Sequence, residues 1–440
     1  MRMYKSKALV LALAGLFAAP AQAQDNEEVL REMQRLSDRV AQLEAANRKL
    51  EAALEQDHSG RAARLADRVE AIEGKVAVLG DRPEPVAALA GASIGGSLLM
   101  VAQNSRGGSG ATSQLSSRAD LEVELPAGNV GTAEGRLFAH LRAGDGDGVD
   151  VGTFATANAT AFNFNQPVLL QAWYQLDLPT GTGSGESGRV ELTLGKIDPF
   201  GFFDANNVAD DESEQFLNLA FIHNPLLDAG GDIGVGEHGA SPGLRLAYGG
   251  EVEGGRHLAA SLAVFGAGGG ADYHDSFHKP FVIGQVEYAG RPLAGLPGTY
   301  RLYAWNNGQA EDAFTGTTER HSGWGLSADQ QISGHATVFA RYGHSTRGNL
   351  LFDRAVTVGV QVSGTLWGRA ADRLGVAYGW LESSAESGLS GAERPFEVYY
   401  AWQINEQLAL TADFQRIANP AGDRGLDDVT VLGLRAKAAF

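Results

Sequence analysis

Charged, amide and aromatic side chains are concentrated between residues 194 and 218. Their polar groups exchange hydrogen bonds with hydroxyls and their rings pack against C–H faces, which suits the binding of a polyhydroxylated solute. The candidate binding residues are Lys196, Asp198, Phe203, Asp204, Asn206, Asp211, Glu212, Gln215 and Asn218. For any one of them the alternative is bracing of the segment through lysine–carboxylate pairs and Asx turns.

Several kinds of chemistry are excluded or unsupported by the residue inventory. The chain has no cysteine, so disulfides, zinc–thiolate sites and thiol nucleophiles are ruled out. Residues 145–150 resemble the opening of a calcium loop but lack the glutamate that closes one. No serine-hydrolase, phosphate-loop or dinucleotide motif stands between a strand and a helix. We therefore predict no enzymatic activity, no cofactor and no metal site.

The overall composition leaves two classes of protein open. Hydrophobic residues make up 44% of the chain and the mean hydropathy is -0.15, which is too polar for a helical membrane protein. A soluble all-β protein fits these values, and so does an outer-membrane barrel, because only alternate residues of its strands face lipid. The formal charge of -18 opposes binding to phosphates, so we expect no nucleic-acid partner.

Residues 1–23 have the features of a secretory signal peptide. Three positively charged residues precede the apolar stretch 8–19, and a small-x-small cleavage site follows at 21–23. The apolar stretch is too short to span a bilayer as an uncleaved anchor helix, which is the alternative. Beyond it there is no apolar run of about 18 residues, so any membrane must be crossed by strands.

A heptad pattern occupies residues 25–80. Its apolar positions are separated by alternating steps of four and three, with the polar Asn47 at one core position. The pattern predicts a self-associating coiled coil of two or three strands that forms a periplasmic stalk, whereas a lone amphipathic helix is the alternative. Two prolines within residues 82–85 stop the helix and begin a linker over residues 81–91.

From residue 92 the apolar period changes from 3.5 to 2. Leucine, valine and tyrosine occupy one phase and polar residues the other in the segments 121–125, 170–178, 244–248, 356–362 and 408–414. With about 20 residues per strand and connection, residues 92–440 accommodate about 16 strands. The predicted fold class is all-β: a transmembrane antiparallel β-barrel of about 16 strands, preceded by the helical coiled coil.

The polar phase of these strands carries charges that would line a lumen. Rows of opposite charge would set a transverse field and an ion preference, whereas solvated wall charges without a selective role are the alternative. The basic members are Arg189, Arg245, Arg341, Arg435 and Lys437, and the acidic members are Asp120, Glu122, Glu124, Asp177 and Asp413.

The apolar phase that ends at Leu194 would place Lys196 in lipid if its strand continued regularly. We therefore expect the strand to leave its register near Gly195 and Pro199. Residues 198–218 would then form a connection that folds into the lumen and narrows it.

The C-terminal residues alternate in the same way and end on Phe440. A terminal aromatic of this kind resembles the signal read by the barrel assembly machinery, which we expect as a partner during biogenesis. An arbitrary terminal phenylalanine on a soluble strand is the alternative.

Short motifs spread along the chain resemble the carbohydrate-selective (OprB-type) outer-membrane porins. They are LGKIDPFGFFDANN at 194–207, DDESEQFLN at 210–218, and the segments 171–174, 296–301, 328–330, 339–343, 368–369 with Asp372 and Gly375, 397–400 and 415–420. The resemblance covers residues 92–440. It implies a 16-stranded homotrimeric barrel in outer-membrane lipid of a Gram-negative bacterium that passes sugars by passive diffusion. Arg369, in one of these motifs, joins Arg245 and Arg341 of the lumen-facing phase among the pore and sugar-binding candidates.

The N-terminal coil is not part of that family's basic pattern. It looks like longer relatives whose periplasmic stalk leads to the cell wall. The alternative function is therefore a general ion or small-solute porin whose coil tethers the outer membrane to the cell wall, with peptidoglycan as a partner. A soluble or surface β-rich adhesin with a trimeric stalk is a third interpretation.

Overall fold

The computed structural model describes residues 91–108, 111–180, 188–228, 239–252, 255–266 and 277–440. The chain divides into two compact units, residues 1–88 and 89–440, and the described residues all belong to the second. The signal peptide, the coiled coil and the linker up to residue 90 lie outside the described residues and stay predictions. No helix in the described ranges is long and apolar enough to cross a membrane.

Sixteen antiparallel strands in the described ranges form one closed barrel, in which each strand pairs with its sequence neighbours and the last pairs with the first. The prediction of about 16 strands is confirmed. The strands are β1 (Ser93–Arg106), β2 (Thr112–Val130), β3 (Ala133–Asp145), β4 (Val168–Thr180), β5 (Gly188–Ile197), β6 (Ser241–Val252), β7 (Arg256–Phe265), β8 (Phe281–Leu293), β9 (Leu296–Glu311), β10 (Thr318–Gln331), β11 (Ala336–Arg347), β12 (Phe352–Ser363), β13 (Arg373–Ser383), β14 (Ala392–Gln403), β15 (Leu408–Ala418) and β16 (Val429–Ala439).

The remaining regular elements are short and lie in connections. They are the helices α1 (Leu219–Ile222) and α2 (Pro225–Asp228), and the 3-10 turns Pro199–Gly201, Gly364–Trp367 and Pro420–Gly422. The N-terminal end of β1 and the C-terminal Phe440 lie together, since the Gly96 and Phe440 backbones exchange two hydrogen bonds. Short turns share this end, and the long connections lie at the other. In outer-membrane barrels the short turns are periplasmic and the longer loops external, and we expect the same orientation here.

The period of two separates a lipid face from an interior face in nearly every predicted segment. Leu244, Leu246 and Tyr248 are about half exposed on the outer surface, as predicted, and so are Val356 and Val358. Alternation of this kind is what a wall between lipid and interior requires.

Two predictions about the wall near β4 and β5 are wrong. Leu170 faces inward and is buried, while Leu169 is 46% exposed, because the β3–β4 register shifts between His140 and Leu141. Furthermore, β5 does not leave its register at Lys196, which still pairs across both neighbouring strands. Its ammonium group donates to the Leu169 carbonyl at 2.9 Å. The long lysine side chain lies along the apolar outer surface and places its charge near the end of the strand.

The barrel interior contains an apolar core as well as polar groups. Residues of the β5–β6 connection pack there against β7–β14, and Phe203, Phe216, Phe221, Leu226 and Leu227 are almost fully buried. On the opposite wall Leu99 and Val101 of β1 face inward and pack on Leu217. The connection therefore fills much of the interior, and an open space remains against β1–β4 and β16.

Candidate functional site

Two connections fold into the barrel from its long-loop end: the β3–β4 connection (residues 146–167) and the described part of the β5–β6 connection (residues 198–228). They are joined to each other by backbone hydrogen bonds, among them Ala159 N to Leu217 O at 2.7 Å. The Ala157 carbonyl also accepts from Gln103 and Gln415 of the wall, at 2.9 Å each. The entry of residues 198–218 into the interior agrees with the prediction.

The β5–β6 connection is fastened to the wall at Asp204. The Arg341 guanidinium on β11 donates to the Asp204 carboxylate at 3.1 Å, to the Asp204 carbonyl at 3.0 Å and to the Phe221 carbonyl at 2.8 Å. Tyr303 on β9 and the backbone N–H of Asn224 complete the carboxylate's partners, at 2.6 Å each. All these polar groups are buried, and a buried charge pair needs such complete satisfaction to persist.

Amide side chains make a second set of fastenings. Asn206 Nδ2 donates to the Ala328 carbonyl on β10 at 3.2 Å. Gln215 accepts from the backbone N–H groups of Asp210 and Asp211, which closes a tight bend. Asn218 donates to Gln415 at 3.1 Å and caps α1 by accepting from Ala220 N. These contacts hold the connection in one conformation.

An acidic tip, residues 210–214, reaches across the interior to the wall opposite the Arg341 fastening. Glu212 pairs with Arg118 of β2 at 2.6 Å. Glu214 pairs with Lys437 of β16 at 2.7 Å and with Arg373 of β13 at 2.9 Å. Burial raises the pKa of Glu212 and Glu214, but these cations outweigh it and bring both pKa values down to about 2. The carboxyl groups of Glu212 and Glu214 are therefore ionised throughout the neutral range, whereas burial raises the pKa of Asp210 to about 8.

The wall beside the tip carries a compact charge cluster. Asp120 on β2 pairs with Arg118 at 2.8 Å and with Arg142 of β3 at 2.6 Å, and His140 Nε2 lies 2.7 Å from the same carboxylate. Together with the tip, these groups line a cavity of about 740 Å³. Cationic and anionic side chains therefore lie side by side along the lining of this cavity.

Phe200 and His223 give the cavity an aromatic platform. Their rings stack with centroids 3.8 Å apart and planes at 18°, and both line the cavity. Burial, together with the nearby Arg341, lowers the pKa of His223 to about 3, so the imidazole is neutral at pH 7. Asp198 caps the turn that carries Phe200 by accepting from its N–H at 3.0 Å. The platform is therefore an uncharged ring surface within a charged wall.

A pH dependence is expected at Asp198, which lines the same cavity. Burial and the neighbouring Glu212 raise the pKa of Asp198 to about 6, so the carboxyl group gains its charge as pH rises through about 6. We predict that the cation preference of the pore increases between pH 5 and 7.5, as read from reversal potentials in a salt gradient. The Asp198→Asn variant should lose the part of this increase that is centred near pH 6. Asp210 in the same cavity, whose pKa burial raises to about 8, should still add charge at the upper end of the range. A wild-type preference that is flat over this range would contradict the assignment.

The predicted binding residues occupy several different environments. Asp198, Asp211 and Glu212 line the large cavity. Asp204, Asn206, Gln215, Asn218 and Arg341 make the fastening contacts described above, and Phe203 is 1% exposed within the apolar core. Arg245 lines a separate cavity of about 480 Å³ beside Phe202, while Lys196 lies on the outer surface. Arg369 lies at the short-turn end, where it pairs with Asp372.

Several residues that line the cavity were not among those predicted from the sequence. Arg118 lies on the same face of β2 as Asp120 and Glu122. Extending that alternation by two residues towards the N-terminus would have predicted it. His140 and Arg142 alternate on β3 in the same way. No signal of this kind was available for Phe200 or His223, because a connection has no period.

Comparisons with known proteins agree with this architecture. The family model of the carbohydrate-selective porin, OprB family, matches residues 69–440, whereas a search of curated protein sequences gives no match. The high-pH structure of Pseudomonas putida OprB superimposes with a TM-score of 0.66 at 15% identity, over 81% of this chain and 96% of that chain. The channel DcaP of Acinetobacter baumannii aligns with a TM-score of 0.47 at 10% identity, over 79% of this chain and 97% of that one.

At such identity the Pseudomonas putida structure establishes a common fold. The family model goes further, because it spans most of the chain and includes every strand of the barrel. The chain therefore belongs to the carbohydrate-selective porin, OprB, family.

Proposed function

We propose that this outer-membrane porin of a Gram-negative bacterium lets small carbohydrates and other small hydrophilic solutes diffuse passively through its lumen. The observation that carries the proposal is the cavity of about 740 Å³ between the acidic tip and the β1–β4 wall. Its volume lies within the range of about 300–1,000 Å³ that is usual for small-molecule sites.

The chemistry of the cavity fits a neutral polyol. Guanidinium groups of Arg118 and Arg142 offer donors, and the carboxylates of Asp120 and Glu212 offer acceptors. Because cations and anions alternate, a hydroxyl finds either kind of partner wherever it lies. The Phe200–His223 platform presents an uncharged surface to the C–H face of a sugar ring. A charged solute would meet groups of its own sign on either side.

The proposal is tested by single-channel conductance in a planar bilayer, titrated with glucose and longer oligosaccharides. We expect saturable, sugar-dependent block in the wild type. In the Phe200→Ala variant, loss of the ring contact should weaken block about fivefold, which corresponds to about 1 kcal/mol. The Phe414→Ala variant, which removes a ring from the outer surface, is the matched control and should leave block unchanged.

One outcome would contradict the carbohydrate assignment, and a second would contradict the placement of the sugar site at Phe200. Conductance that no sugar alters would indicate a general ion or small-solute channel. Equal block in the wild type and the Phe200→Ala variant would mean that the sugar contacts lie elsewhere in the lumen.

A further inference from the structure

Three arginines lie close together on the lipid-facing surface near the long-loop end. Arg106 of β1 and Arg416 of β15 both pair with Thr430 of β16, so they lie in one row across three strands, about 10 Å apart. Arg394 of β14 pairs with Ala418, two residues beyond Arg416 along β15, and is a diagonal neighbour of that residue. These three residues are called the arginine patch.

An apolar surface continues directly below the arginine patch towards the middle of the barrel. Phe396 of β14 pairs with Arg416, and its ring contacts Phe414 with centroids 6.5 Å apart. Leu432 and Leu434 of β16 continue the surface and are about half exposed. Phe396 thus lies level with Arg416, while Phe414 and Leu432 lie level with each other, two residues further towards the middle of the barrel.

The arginine patch is only partly neutralised by the protein. Arg416 pairs with Asp428 at 2.8 Å and is 63% exposed, while Arg394 lies over the Trp380 ring at 5.5 Å. Arg106 is exposed and forms no ion pair within the described ranges. Asp428 is therefore the one described carboxylate that pairs with the patch, and a net positive charge remains.

We propose that the arginine patch binds a phosphorylated glycolipid of the outer leaflet, with the phosphate on the arginines and the acyl chains on the apolar surface below. Arginine forks match phosphate oxygens in geometry and charge. The long-loop end faces outside, so the patch lies at the level of the outer-leaflet headgroups. The row of rings and leucines below it has the chemistry of a surface for acyl chains.

The proposal is tested by native mass spectrometry of the full-length protein in detergent, titrated with bisphosphorylated hexa-acyl lipid A. We expect bound lipid A on the wild type, and at least about tenfold weaker binding in the Arg106→Gln/Arg394→Gln/Arg416→Gln variant, since each basic side chain near an anionic headgroup strengthens binding. Lysine at the same three positions should restore part of the binding. Lipid A with its phosphates removed should bind the wild type and the glutamine variant equally.

The matched control is Arg256→Gln, because Arg256 begins β7 at the opposite, short-turn end of the barrel. This variant should bind lipid A as the wild type does. Heat-modifiable gel migration identifies the folded barrel in each variant before titration. Equal lipid A binding by the wild type and the triple glutamine variant would overturn the proposal. The proposal would also be overturned if the triple glutamine variant bound lipid A normally but formed an assembly with a different number of chains. The arginine patch would then be an interface between copies of the chain.

Discussion

The Arg341→Ala variant is expected to lose the fixed position of the β5–β6 connection and much of the stability of the barrel interior. The substitution leaves the buried Asp204 carboxylate without its cation and removes the donors to the Asp204 and Phe221 carbonyls. Breaking a buried pair by removing one partner costs about 3–5 kcal/mol. We expect a clearly lower midpoint temperature of unfolding, measured by the heat-dependent shift in gel migration.

The same variant should change conduction, because the connection spans the interior from Arg341 to Arg118. Without the Arg341 contacts the β5–β6 connection should obstruct the lumen less and move more, so the variant channel should show larger and noisier single-channel currents. The Asp204→Asn/Arg341→Met double variant is the control, since it removes both charges together and should lose less stability than the two single changes summed. A wild-type unfolding midpoint and conductance in Arg341→Ala would show that the fastening does not depend on this pair.

The second large effect is expected at Glu212, in the acidic tip. Its side chain lies 2.6 Å from Arg118, and its pKa of about 2 keeps it charged at any pH above about 4. The Glu212→Gln variant retains the shape of the tip but leaves Arg118 and Arg142 in excess. At an ion distance of about 7 Å in water one charge shifts the free energy of a cation and of an anion by about 0.6 kcal/mol each, in opposite directions. The cation-to-anion permeability ratio should therefore fall by up to about sevenfold, and by less where salt screens the charge.

Reversal potentials in a KCl gradient measure this ratio directly. Glu212 stays ionised over this interval, but its charge also helps to raise the pKa of Asp198. The fall should therefore be smaller at pH 5 than at pH 7, because Asp198 is more fully ionised at pH 5 once the Glu212 charge is removed. Glu406→Gln is the matched control, since Glu406 is exposed on the turn between β14 and β15. An unchanged ratio in Glu212→Gln would indicate that permeating ions do not pass the acidic tip. A lower ratio in both variants would indicate a general charge effect.

The carboxyl group of Glu212 also links pH to folding. Its pKa in the folded protein lies below the ordinary value of 4.5, so the folded state binds its proton more weakly than the unfolded state does. The ion pair therefore stabilises the protein above pH 4.5, and that stabilisation is lost as the pH falls towards 2. Glu214 behaves in the same way, since Lys437 and Arg373 hold its pKa at about 2.

The rows of wall charges do not act as the independent, facing rows that the sequence predicted. Arg341 and Arg435 do point inward, but both are bonded to the β5–β6 connection and almost fully buried. Asp120 is surrounded by three basic side chains of the same wall. The β5–β6 connection covers some of the charged wall residues, and only the uncovered ones line the open cavity.

The strand pattern was available from the sequence by itself. Successive side chains of a strand point to opposite sides of the barrel wall. The barrel fold, the number of strands and most lipid-facing positions could therefore be predicted from this local alternation. The alternation failed at Leu170 because a register shift between two strands is not visible in either strand alone. The departure of residues 198–218 from the wall was also predictable, since Pro199 and the change of pattern mark it.

Only the tertiary structure decided which polar residues line the cavity and which fasten the connection. Asp204 and Arg341 are 137 residues apart, and Glu212 and Arg118 are 94 apart, so no local period relates them. The same limit applies to the aromatic residues: the turn at Pro199–Gly201 directs Phe200 to the cavity and leaves Phe203 in the apolar core. Contacts between distant segments fix these roles, because burial and charge pairing are properties of the packed chain and not of neighbours in sequence.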